Sequence, residues 1–420
     1  EKRKPLIIRG ARQVGKTWIM KTFGQQYFEK TAYVNFDNNA RMKQVFEGDL
    51  DIERLVLAIS AETGVSIEAE NTLIIFDEVQ EVPKALTSLK YFYENAPQYA
   101  IVAAGSLLGV ALHQGTSFPV GKVDFLDLYP LNFREFLCAM GEKQFVSMLD
   151  SCDTQMVTVF KTKYIERLRE YYFVGGMPEV VKDFSEKKDY NRVRAIQKNL
   201  INYYQQDFSK HAEIKLVPRL NLVWNSIPMQ LAKENKKYIY GQVREGSRAK
   251  DFELAIQWLL DCGLIHKVQR IQKPDLPLKA YIDFDAFKLF LVDIGLLIAM
   301  TDLDAKVIIE GNKIFTEFKG SLTEQYILQQ LISDVGVIPY YYSTQNSKGE
   351  IDFLVQGKTS VIPIEVKAEE NLKAKSLKAF CEKYQPSYAV RTSMSDYREQ
   401  DWMTNIPLYA VKWIKNYVNQ

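Results

Sequence analysis

Short apolar runs separated by helical repeats set the pattern of the first third of the chain. Residues 6–8, 31–36, 71–76 and 99–104 are runs of the length and composition of buried strands. Residues 18–23, 52–61 and 82–94 read as helices between them. The rhythm β-α-β-α-β-α-β predicts a parallel sheet with helices on both faces. Such sheets hold their ligands at the carboxyl ends of the strands.

The later pattern changes twice. Residues 160–211 are helical, broken by Gly175-Gly176 and Pro178, and read as a helical lid. From 214 to 300 the pattern predicts a winged helix. It has helices over 222–233 and 248–262, the second with Phe252, Ala255, Ile256 and Leu259 on one face and Gly263 as its stop. Strands over 264–271 and 279–284 flank a Lys273-Pro274-Asp275-Leu276-Pro277 turn, the expected wing. Residues 350–355 alternate as a strand, 360–366 return beside it, and 372–384 form a helix. The expected fold is α/β in four parts. These are a P-loop NTPase core over 1–140, a lid over 141–212, a winged-helix domain over 213–305 and a restriction-endonuclease-like α/β domain over 306–420.

Composition narrows this picture only at its edges. The 420 residues are 47% hydrophobic and 25% charged, which excludes wholesale disorder. A formal charge of +2 excludes a histone-like polycation but leaves room for a local basic patch. Cys138, Cys152, Cys262 and Cys381 are far apart, so neither a disulfide framework nor a zinc knuckle is expected, and a reducing cytoplasm fits. The three histidines, His113, His211 and His266, are too few for a histidine-rich metal site. The apolar stretch 289–300 is short and contains Asp293, so no membrane partner is expected. No charged-then-apolar leader opens the chain, and a start at Glu1 instead of Met suggests a missing N-terminal piece.

Chemistry enters directly after the first strand. Gly10-Ala11-Arg12-Gln13-Val14-Gly15-Lys16-Thr17 has the spacing of a phosphate-binding loop. The glycines let backbone N–H groups turn toward a phosphate, Lys16 adds a point charge, and Thr17 offers a hydroxyl to Mg²⁺. The positive end of the helix that follows adds to anion binding. The nucleotide-binding residues expected are Gly10, Arg12, Gln13, Val14, Gly15, Lys16, Thr17 and Trp18. The strand over 71–76 ends in Asp77 and Glu78, where Asp77 would hold Mg²⁺ and Glu78 would deprotonate the attacking water. Ser106 follows the next strand and is either a sensor of the γ-phosphate or a strand-end cap. A nucleoside triphosphate with Mg²⁺ is therefore the expected ligand.

A second constellation lies near the end. Glu365 and Lys367 share one face of a strand, and Asp352 reaches that face from its neighbour. Glu324, expected to open a helix running to about residue 331, is a fourth member. Two carboxylates and an ammonium in this order can hold a second Mg²⁺ or Mn²⁺ and activate water. A surface hairpin carrying the same residues is the plain alternative. Gln345 is either a phosphate-aligning residue or a loop cap.

The P-loop residues, Asp77-Glu78-Val79-Gln80, Gly105-Ser106 and Leu128-Tyr129-Pro130-Leu131-Asn132-Phe133-Arg134-Glu135-Phe136 together resemble a bacterial and archaeal group of AAA+ type ATP-binding proteins. Gly175-Gly176-Met177-Pro178-Glu179 and Asp293-Ile294-Gly295-Leu296-Leu297 extend the resemblance to nearly the whole chain. It implies ATP use and a restriction-endonuclease-like C-terminal module. Members of that group often place an arginine where this chain has Lys122, after Gly121, so an arginine finger is unassigned; Arg12 and Arg134 are candidates, with a structural role as the favoured alternative for both. Three functions stay open: an ATP-driven molecular switch, an ATP-gated metal-dependent DNA nuclease, and a nucleotide-dependent module that binds DNA or protein partners, including copies of itself. The modest basic surplus between His211 and Phe290, with Asp251 and Glu253 beside Arg248 and Lys250, favours a structural winged helix at least as much as a DNA-binding one.

Overall fold

The structure, a computed structural model, describes residues 3–109, 119–233, 236–309, 316–344, 349–369 and 374–420. His113 and Gln345 lie outside the described residues. The chain forms two compact units: residues 1–129 with 257–264, and residues 130–256 with 265–420.

In the first unit β1 (Leu6–Arg9), β2 (Lys30–Asn35), β3 (Thr72–Asp77), β4 (Ala100–Ala104) and β5 (Asp124–Asp127) form one parallel sheet in the order β2-β3-β4-β1-β5. Every residue of β3 and β4 is buried, as their unbroken apolar runs require of strands covered on both faces. Alternation then sorts the side chains. Ile74 and Phe76 join one core with Phe36, Phe46 and Phe92, while Leu73 and Ile75 join another with Ile8, Met20 and Val102. The helix Lys16–Tyr27 covers the second face. The strand β5 is exposed at all four positions, so no apolar run announced it. It is fastened instead by Arg9, which donates to both carboxylate oxygens of Asp127 at 2.8 and 2.9 Å and stacks on Phe125.

The second unit begins with the helix Phe133–Ala139, whose start is set by a reciprocal capping box between Asn132 and Glu135. The helices Lys161–Val174, Pro178–Lys187, Tyr190–His211 and Val217–Leu231 follow. Its sheet joins β6 (Ile265–Ile271), β7 (Ile282–Leu291), β8 (Tyr340–Ser343), β9 (Glu350–Gln356), β10 (Val361–Val366), β11 (Val390–Ser393), β12 (Arg398–Gln400) and β13 (Met403–Pro407) in the order β12-β13-β11-β10-β9-β8-β6-β7. The hairpin expected as a wing is thus part of this sheet, with Arg270 and Ile271 paired to Tyr341 and Tyr342. Its second strand starts later and runs longer than expected, because residues 278–281 form a 3₁₀ turn and the apolar run through Leu291 continues the strand.

The helix expected to begin at Glu324 begins at Thr316 and runs to Gln330, which puts Glu324 in its interior. Residues 321–331 are all buried although three are glutamines. Each glutamine is spent on backbone that would otherwise lack partners. Gln325 accepts from Leu291 N at 3.0 Å and donates to Leu291 O at 2.7 Å, Gln329 accepts from Ile294 N, and Gln330 accepts from Phe133 N at 2.8 Å.

His266, on β6, is half-buried, and its partial burial holds its imidazole down to about 4 from the ordinary 6.5. Its folded pKa lies below its unfolded one, so the unfolded chain binds the extra proton. Stability from this group is complete above about 6.5 and falls as pH drops toward 4. In NMR titration of the full chain, the imidazole resonance lost in His266→Gln should stay in its neutral position until pH about 4. A midpoint near 6.5 would show that the side chain is solvated.

Candidate functional site

Turns that only particular residues tolerate shape the loop after β1. Gly10 has φ 146 and Gly15 has φ 95. A Cβ on Gly10 would stand 2.2 Å from the carbonyl oxygen of Leu128, so a residue of the Tyr-Pro motif is packed against the phosphate loop itself. Gln13 is held at φ 66, a region that costs a side-chain-bearing residue on the order of 1 kcal/mol. Val14 is buried against Gly10, Arg12 is half-buried near Lys16, and Trp18 stands 70% exposed at the start of the helix.

Lys16 is buried, and its ammonium donates to the carbonyls of Gly10 and Ala11 at 2.9 and 2.8 Å. Burial lowers its pKa to about 8, against the opposing pull of Glu78 and Asp77. Thr17 donates its hydroxyl to Asp77 Oδ2 at 2.6 Å. The two groups expected to share a magnesium ion therefore already meet. Tyr33, on the neighbouring strand β2, donates to the same oxygen at 2.9 Å. Sequence reading missed Tyr33; the in-register pairing of Asn35 with Asp77 brings its strand alongside, and that register is not visible in the chain alone.

Glu78 has φ 51, a second strained position in the same site. Its Oε2 accepts from Gln80 Nε2 at 2.6 Å, from Ser106 Oγ at 3.1 Å and from Ser106 N at 3.4 Å. Burial by itself would raise this carboxyl. The bonds from Gln80 and Ser106 and the charge of Lys16 outweigh it and hold the group below its usual range. Gln80 is thus a member of the site that sequence reading quoted without assigning it a role. Gly105 explains its placement, since a Cβ there would lie 2.1 Å from Gln80 Oε1.

Lys16, Thr17, Asp77, Glu78 and Ser106 come together as expected, at the carboxyl ends of β1, β3 and β4. Gly10 and Gly15 leave the backbone free to approach a phosphate. This donor set fits a triphosphate with Mg²⁺ held by Thr17 and Asp77. The arginine-finger candidates fare differently. Arg134, in the second unit, bridges Asp334 at 2.9 Å and Asp150 at 2.7 Å, a structural assignment. Lys122 pairs with Glu94 at 3.2 Å.

The C-terminal carboxylates also converge. Glu324, Asp352 and Glu365 lie close enough to perturb one another. Asp352 Oδ2 accepts from Val366 N at 2.7 Å, and Lys367 pairs with Glu365 at 2.6 Å. Sequence reading missed three further members. Lys236 bonds Glu324 Oε1, and Lys288 lies 3.7 Å from Glu324 Oε2 and bonds Glu350. Burial, with the charges of Glu324 and Glu365, pushes Asp352 well above the carboxylate range, whereas Lys236 and Lys288 overcome burial at Glu324 and lower it. Among the described residues no three carboxylate, imidazole or thiolate side chains are arranged to hold a metal ion. Ammonium groups stand among these oxygens, so the cluster does not fit a second Mg²⁺ or Mn²⁺.

Residues 2–137 match a family described as AAA domain, which supports ATP binding or hydrolysis by this segment. Residues 165–307 match a domain of unknown function, DUF8612, and residues 319–411 match another, DUF4143. No curated protein matches the sequence. Among solved structures, the Walker-type ATPase PABY2304 of Pyrococcus abyssi is similar at 13% identity and TM-score 0.42, over 71% of this chain and 91% of that one. The Drosophila ORC bound to DNA is similar at 12% identity and TM-score 0.24, over 68% of this chain and 86% of that one. Among the described residues no helix is long and apolar enough to cross a membrane.

Replacing Thr17 with valine keeps the shape of the side chain but removes the hydroxyl. Calorimetry should show Mg²⁺-ATP binding weakened by roughly tenfold or more, because the metal loses a ligand oxygen. Metal-free ATP should bind nearly as before. An equal loss with and without Mg²⁺ would place Thr17 on the phosphates instead of the metal.

Proposed function

We propose that this chain hydrolyses ATP on its N-terminal unit and that turnover acts as a molecular switch on the remainder of the chain. The observation that carries this reading is the convergence of Lys16, Thr17 and Asp77 beside an ionised, anchored Glu78. Bound Mg²⁺ would neutralise phosphate charge and orient the γ-phosphate.

The side chains divide the remaining work. Lys16 exchanges the carbonyls of Gly10 and Ala11 for phosphate oxygens, restoring an ionic partner to a buried ammonium. Thr17 and Asp77 hold the metal. Glu78 takes the proton from the attacking water. Its Oε2 is occupied by Gln80 and Ser106, so Oε1 is the oxygen available as base. Gln80 is a positioning residue: it fixes the rotamer of Glu78 and keeps it ionised. Ser106, bonded to the same oxygen, senses the γ-phosphate through Glu78 in this reading.

Support for a switch comes from Gly263. It ends the helix Ala249–Asp261 at φ 68, and a Cβ there would lie 3.1 Å from Ala11 N. The segment that leads into β6 therefore abuts the peptide that would turn toward a phosphate. The ligands of this reading are ATP and Mg²⁺; DNA and protein partners, a homo-oligomer among them, are its possible downstream targets. No observation favours phosphodiester cleavage over simple recognition in the C-terminal module.

Glu78→Gln should lower ATP turnover by at least about 100-fold, the usual worth of a general base. ATP affinity should stay within a few-fold. Persistent turnover with a purified, folded variant would refute the role of Glu78. Gln80→Ala should lower kcat with little change in KM and move the acidic limb of the pH–rate profile upward, because Glu78 loses a bond that stabilises its charged form. A variant that loses kcat with an unmoved limb would leave Gln80 a packing residue.

A further inference from the structure

The second cluster has a composition that the expected nuclease site lacks. Its carboxylates, Glu324, Asp352 and Glu365, come from the segment matched over 319–411. Two of its cations come from elsewhere. Lys236 and Lys288 belong to the segment matched over 165–307. Lys288 projects from β7, which reaches this place because the β6–β7 hairpin is built into the sheet through β8.

Each cation is engaged. Lys288 is 1% exposed at its side chain, lies over the ring of Tyr341 and pairs with both Glu324 and Glu350. Lys236 is 12% exposed at its side chain and bonds Glu324 Oε1. Lys367 pairs with Glu365, and the backbone of Val366 takes one oxygen of Asp352. A divalent ion bound by Glu324 and its neighbours would need several oxygens at about 2.0–2.6 Å. It would then share those oxygens with ammonium groups at hydrogen-bond distance, and like charges that close repel strongly. Lys288 cannot withdraw without disturbing β7.

We infer that residues 165–307 close this site: Lys236 and Lys288 stand where a divalent cation would be held, and the cluster is an ion-pair lock joining the two segments. Two oxygens remain inside it. Glu324 Oε2 and Glu365 Oε2 are buried without a hydrogen-bond partner, although Lys288 lies 3.7 Å from the former. These oxygens are ready acceptors, and the ammonium groups are what keep a metal ion from them.

The test uses the full chain without nucleotide, with Asp77→Asn in every sample so that the P-loop cannot contribute a metal site. Mn²⁺ alone is titrated and followed by electron paramagnetic resonance. The lysine-intact chain should show no Mn²⁺ site that Asp352→Asn weakens. Adding Lys236→Met with Lys288→Gln should create one at least tenfold tighter than any in the parent, and Asp352→Asn should then abolish it. A site in the lysine-intact chain that Asp352→Asn weakens tenfold would overturn the inference. So would a folded double variant, checked by circular dichroism, that gains nothing. Should the double variant fail to fold, the lysine-intact arm decides.

Discussion

One buried carboxylate organises the second unit. Asp293 is wholly enclosed, and its two oxygens accept from Gly176 N at 2.6 Å, Leu296 N at 3.1 Å and Gln329 Nε2 at 3.3 Å. Burial raises its pKa while these bonds oppose the rise, so the side chain depends on all of its donors. Gly175, at φ 73, must be glycine because a Cβ would meet Asp293 Oδ1 at 2.2 Å. Gly295 must be glycine because a Cβ would meet Val174 O at 2.6 Å. Gln329 also donates to the hydroxyl of Tyr171, which in turn donates to Leu131 O at 2.6 Å. The motif segments around residues 131, 175 and 293 therefore meet at one point. Their chemistry is structural: removing one member of such a network leaves other buried polar groups unpaired, which costs more than the lost bond.

The first unit places its strain where the chemistry is. Gln13 and Glu78 are left-handed without being glycine, and both stand in the nucleotide site. Strain of this kind survives only where surrounding contacts overdetermine it. Around Glu78 those contacts are Gln80 and Ser106, and Gln80 fits only because residue 105 has no side chain. The same logic holds at the phosphate loop, where Gly10 admits the carbonyl of Leu128 and Gly263 admits the peptide of Ala11. Packing and catalytic geometry are here one constraint.

Much of this was legible in the chain. Buried parallel strands are continuous apolar runs, so β1 to β4 and three of the helices between them could be read directly, together with Lys16, Thr17, Asp77 and Glu78, whereas the short helix Ala40–Glu47 was not. What escaped was whatever depends on register or on long-range burial. The strand β5 is polar at its ends and exposed throughout, with nothing periodic to detect. Tyr33 reaches Asp77 through strand pairing. The helix around Glu324 is buried on all sides through glutamines bonded to distant backbone, so it lacked the amphipathic stripe that marks a helix start. The hairpin over 265–291 has the local signature of a wing, and only its pairing with Tyr341 and Tyr342 makes it part of a larger sheet.

That pairing changes the meaning of the C-terminal carboxylates. A pattern of Asp, Glu and Lys on two strands specifies which groups share a face, but not which foreign groups come to that face. Lys236 and Lys288 lie far from Asp352 and Glu365 in sequence, and no spacing rule connects them. Yet they set the charge of the site, lowering Glu324 while burial and neighbouring carboxylates raise Asp352 and Glu365. A buried carboxylate group is defined by its counter-ions as much as by itself. A cluster neutralised by ammonium groups holds segments together, whereas one neutralised by a metal ion can polarise water. The motif is common to both, and the cations supplied by residues 165–307 decide between them.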